Sequence, residues 1–144
     1  MLDIRIYTDY VERLAETWFG KTLYSICVGA VGTVILAVFL AGMMQPTTLE
    51  ILLPVIIGFN AALSGYMAVE KCRHMVRRQH LLAMGSGIAM VLLATVFLSI
   101  IFFQWAGFIL IGLGTLVVML VVGLIASSLG GKLCTKYLEL NQSK

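Results

Sequence analysis

The sequence predicts an all-α integral membrane protein, with four transmembrane helices as two tandem helical hairpins, preceded by an amphipathic interfacial helix. Three observations predict it. Of 144 residues, 60% are hydrophobic and 12% charged, against about 45–50% and about 25% in soluble domains. The apolar residues fall into four runs, each near the ~20 residues needed to cross ~30 Å of hydrocarbon. All ten Lys and Arg residues lie before the first run, between the second and third, or after the fourth.

Residues 1–20 read as the amphipathic helix. Ile4, Tyr7, Val11, Leu14 and Trp18 recur at spacings of three and four and make one apolar stripe. Arg5, Asp9 and Arg13 make a row of alternating sign on the other side. Trp18 and Phe19 arrive where aromatic rings favour the headgroup level. The acids Asp3, Asp9, Glu12 and Glu16 outnumber the bases, which argues against a simple sensor of anionic lipid. This helix is therefore expected to anchor the first span, and it is a candidate docking surface for a cytosolic partner.

The transmembrane domain, 21–144, follows. The first hairpin is expected over about 22–69, with spans at 22–43 and 49–69. Pro46, Thr47 and Thr48 mark its turn, and Pro54 is placed in the first turns of the second span. Residues 70–80 form a basic hinge with Lys71, Arg73, Arg77 and Arg78, expected to meet lipid headgroups or a partner. The second hairpin is expected over about 81–130, with spans at 81–103 and 108–130 around a tight turn at Gln104-Trp105-Ala106-Gly107. The tail is expected to extend the last helix a turn or two, through Tyr137 and Leu140. The basic clusters place both termini and the hinge in the cytosol, and the expected location is a bacterial inner membrane. The first apolar run is too long for a signal-peptide core.

The two hairpins resemble each other. Residues 21–40 align without a gap on 79–98, matching Gly29 to Gly87 and Val38-Phe39-Leu40 to Val96-Phe97-Leu98. Gly58-x-x-Ala61-x-x-x-Gly65 aligns likewise on Gly123-x-x-Ala126-x-x-x-Gly130. An even number of spans per unit makes these parallel repeats. Lipid is as apolar as leucine, so membrane helices associate by close packing, which small residues permit. The expected packing residues are Gly29, Gly58, Ala61, Gly65, Gly85, Gly87, Gly123, Ala126 and Gly130.

Chemistry is sparse. No ionisable residue falls deep in a predicted span, whereas proton relays and ion-coupled transporters use such groups. No Ser/His or paired-Asp arrangement suggests a hydrolase, so no enzyme, no catalytic residue and no cofactor is expected. A net charge of +3 gives no reason to invoke nucleic acid. Cys27, Cys72 and Cys134 form no disulfide framework, and Cys72-x-His74 lacks the paired spacing of a zinc site, so no metal is expected. Cys72 and Cys134 are juxtamembrane candidates for acylation. Asn60 is the strongest polar group within a span. It reads as interhelical glue, or as the lining of a polar path between the hairpins. The intramembrane serines and threonines are expected to bond to their own preceding turn.

Val28-Gly29 in the first span and Asn60 in the second, within two tandem hairpins, resemble the GtrA-like group. That resemblance implies a small transporter or flippase of lipid-linked substrates. The chain departs from the group at the end of the second span, where Ser64-Gly65-Tyr66-Met67-Ala68-Val69-Glu70 replaces its Asn/Phe/Arg/aromatic pattern. The residues themselves favour a non-enzymatic accessory or scaffolding subunit of a membrane complex. It would be surrounded by lipid and would pair with further copies or other membrane subunits through small-residue faces.

Overall fold

A computed structural model describes residues 16–74, 78–106 and 113–142. The described residues form four long helices and no strand: α1 (Trp18–Ala41), α2 (Pro46–Cys72), α3 (Gln79–Ala106) and α4 (Leu113–Gln142). All four are long and apolar enough to span a membrane.

Local sequence sets the helix ends. Thr17 is extended and caps α1, its Oγ1 accepting from Gly20 N at 3.2 Å. Trp18, Phe19 and Gly20 are therefore the first turn of α1 and not the end of a separate helix. The rest of the expected amphipathic helix, residues 1–15, lies outside the described residues. Gly42 closes α1 with its N–H on Val38 O at 3.2 Å, and Met44 N reaches Leu40 O at 2.9 Å. Pro46 begins α2 at a position where its missing N–H is not needed. Because α2 starts earlier than the sequence suggests, Pro54 lies in its third turn, inside the helix. There its missing N–H leaves the Glu50 carbonyl without its helical donor. Helix α3 runs through Gln104 and Trp105 to Ala106, so these three residues of the expected turn are helical, and Gly107 lies outside the described residues. Helix α4 continues through Tyr137 and Leu140 to Gln142.

Helix α2 packs against all three others, and α2 with α4 is the most extensive pair. Helix α3 also touches α1 and α4, whereas α1 and α4 do not meet. The cross-section is thus a rhombus with α2 and α3 on its short diagonal. The core holds Ala30, Ile57, Ala61, Met90, Val91, Ala94 and Met119. A second layer near the basic end holds Val69, Ala83 and Cys134, with Tyr66 and Leu138 packed on it. The outside is apolar as well, exposing Ile35, Phe39, Ile51, Val55, Phe59, Val96, Ile125 and Leu129. Contiguous apolar surface of this kind suits lipid and not water.

Candidate functional site

Among the described glycines, those of α2 and α4 come closest to the backbone of another helix. A methyl group added to Gly65 would stand 2.8 Å from the Ser127 carbonyl carbon and closer to its oxygen. One added to Gly130 would stand 2.8 Å from the Ala62 carbonyl carbon and, again, closer to its oxygen. These contacts are reciprocal. Gly130 is the repeat equivalent of Gly65, and Ser127 that of Ala62, so each helix places its glycine on the same backbone position of the other. Gly131 adds to the joint, its Cα facing Ala83 Cβ and Val69 Cγ2. Higher in the bundle, Gly58 makes room for Val122 Cγ1, at 3.0 Å from an added methyl.

The other seams use the same device. Gly87 of α3 faces Ser127 and the Gly123 carbonyl oxygen of α4, while Gly123 receives the Val91 side chain. Gly29 of α1 faces Asn60 O and Ser64 Cβ of α2, each 3.1 Å from an added methyl, and Met90 of α3. Ala61 is fully buried, and Ala126 packs on the core. Gly85 is the exception among the expected packing residues. It is exposed, with nothing within 4 Å of an added methyl, and faces out of the bundle. Sequence reasoning could not separate the two faces of α3, since lipid and core are both apolar. It also passed over Gly32, whose missing side chain accommodates Asn60 Oδ1, 2.7 Å from an added methyl.

Asn60 is only 4% exposed. Its Nδ2 donates to Ile56 O at 3.0 Å, one turn back on its own helix. The other buried polar groups turn back in the same way: Ser25 on Lys21 O, Thr33 on Gly29 O, Ser86 on Ala83 O, Thr95 on Val91 O and Ser127 on Leu124 O. Ser64 departs from the expectation, because its buried Oγ has no partner.

At the basic end, Lys71 Nζ lies 3.7 Å from the centre of the Tyr24 ring. That cation is turned onto α1. Arg73 follows the last turn of α2, and its carbonyl accepts from Gln79 Nε2 at 3.3 Å. Arg78 is exposed just before α3, and Arg77 lies outside the described residues. Cys72 is not a surface thiol. It is buried, donating from Sγ to Trp18 O at 3.4 Å and lying 3.6 Å from Thr22 Oγ1. Cys134 is also buried, so neither thiol is presented for acylation, whereas Cys27 is exposed on α1. Among the described residues, no group of three or more His, Cys, Asp or Glu could hold a metal ion. Comparison with protein-family models, curated proteins and solved structures finds no match.

Proposed function

We propose that this chain is a non-enzymatic subunit of a membrane complex, two hairpins fused into one rigid block that acts through its outer surface. The observation that supports this most is how the interior is filled. Helices α2 and α4 meet at backbone contact, and almost every buried polar side chain bonds to its own helix. An interior of this kind holds helices together and offers nothing to a passing solute. Asn60, the candidate lining of a lipid-substrate path, is almost fully buried, with its side-chain oxygen against Gly32 and its backbone oxygen against Gly29 of α1. That enclosure weighs against a GtrA-like transport role.

The surface available to a partner includes Gly85 of α3, flanked by exposed Leu81 and Leu92. An open glycine on a lipid-facing helix lets a further helix approach closely. In the proposed orientation the basic end faces the cytosol of a bacterial cell, where the segment 1–20 is available to a soluble partner.

The test is extraction of the full chain in a mild detergent, followed by native mass spectrometry. The expected result is an assembly of fixed stoichiometry, with further copies or with other membrane polypeptides. It should dissociate in Gly85→Leu while that variant stays helical. A lone chain under all gentle conditions overturns the proposal.

A further inference from the structure

We propose that the outer face of α4, at the basic end, is a binding surface for anionic phospholipid headgroups, with Lys132 and Lys136 as the phosphate ligands. Val121, Ile125, Leu129, Lys132 and Lys136 follow one another at spacings of four, four, three and four on α4, and all are exposed. They form one continuous stripe that changes from aliphatic to cationic without the helix ending. The change occurs while the bundle is still dry inside. Cys134, between the two lysines, is fully buried in the layer with Val69 and Ala83, and Leu138 packs on that layer from beyond them. The lysines thus sit where the hydrocarbon boundary meets the headgroups.

The neighbouring side chains point to a lipid and not to bulk water. Leu133 is 65% and Tyr137 56% exposed, flanking the lysines. A solvated helix tail has no use for such residues, but acyl chains and the glycerol region cover them. Lysines at this depth extend their aliphatic stems along the acyl chains and raise the ammonium to the phosphate. Glu139 lies three residues beyond Lys136, on the aqueous side of the pair, so it does not intervene between the lysines and the membrane. Lys71 makes the contrast, since its charge is already held over Tyr24.

The experiment titrates the detergent-solubilised full chain with phosphatidylglycerol or phosphatidylcholine and reads each lipid-bound species by native mass spectrometry. The wild-type chain should retain phosphatidylglycerol in preference. The apparent association constant should fall about fivefold for each lysine removed in Lys132→Gln, Lys136→Gln and the double variant. These positions are exposed, so helicity by circular dichroism should be unchanged. Lys71→Gln should shift the constant by less than about twofold, against the fivefold step per surface lysine. Equal retention of both lipids by the wild type overturns the proposal, as does an unaffected double variant. A loss in Lys71→Gln as large as in Lys132→Gln does so too, because the preference then belongs to the total charge of that end and not to α4.

Discussion

Adding one methyl group at Gly130 tests the central crossing. The new carbon would lie 2.8 Å from the Ala62 carbonyl carbon and 3.1 Å from its Cα. Carbon atoms prefer about 3.5–4.0 Å, so α2 and α4 must part by roughly 1 Å. A gap of that size forfeits about a quarter to a half of the dispersion energy of each contact it opens. Overpacking of this kind costs about 1–3 kcal/mol, and a backbone obstacle that cannot rotate away places it near the top. Alanine is a better helix former than glycine by about 1 kcal/mol, which offsets part of the cost. The net loss should be about 2 kcal/mol for Gly130→Ala, and similar for Gly65→Ala. Because the two sites oppose each other across one joint, a single separation relieves both. The double variant should therefore cost much less than the ~4 kcal/mol of independent sites, a coupling of about 1–2 kcal/mol. Reversible unfolding in mixed micelles, followed by circular dichroism, measures all three. Strictly additive losses, or a Gly130→Ala chain as stable as wild type, would refute the reciprocal geometry.

Other outcomes follow from the same contacts. Gly85→Ala, with open space around it, should leave the stability of the isolated chain unchanged or raise it by up to about 1 kcal/mol in the same assay. Ser64→Ala removes a buried hydroxyl without a partner and should be neutral or stabilising by about 1 kcal/mol; a loss above that would mean the hydroxyl has a partner in the membrane. A double-mutant cycle between Tyr24→Leu and Lys71→Gln should return a coupling of about 0.5–1 kcal/mol for the cation over the ring, and a coupling near zero would remove that contact. Cys72 and Cys134 should resist a maleimide in native micelles and react once the chain is unfolded, as read by mass spectrometry; prompt labelling of either would contradict its burial.

The four helices were legible because runs of apolar residues of that length have few other uses. Their ends were less so. Pro46 reads equally well as a turn or as the first residue of a helix, and Cys72 looks like part of a polar hinge although it closes α2 against Trp18. The spaced glycines of α2 and α4 lie where helices meet: Gly58, Gly65 and Gly130 between α2 and α4, and Gly123 against Val91 of α3. The hinge cations were grouped by charge alone, which concealed that Lys71 lies over the Tyr24 ring. In water, hydrophobic periodicity tells inside from outside. In lipid it does not, so the sequence could not show that Gly85 faces out of the bundle, and Gly32 was overlooked for the same reason.

The joint between α2 and α4 also bears on how the chain is made. Sixty-five residues separate Gly65 from Gly130. At a synthesis rate of about 5–20 residues per second, α2 waits ~3–13 s in the bilayer before its principal neighbour arrives. During that interval α1 is already beside it, held by Tyr24 and Lys71 and by the Trp18 carbonyl on Cys72. The glycine face of α2 has only lipid against it. A ribosome stalled before α4 would therefore leave a half-built block with a sticky edge, one that a quality-control protease or a second nascent chain could claim first.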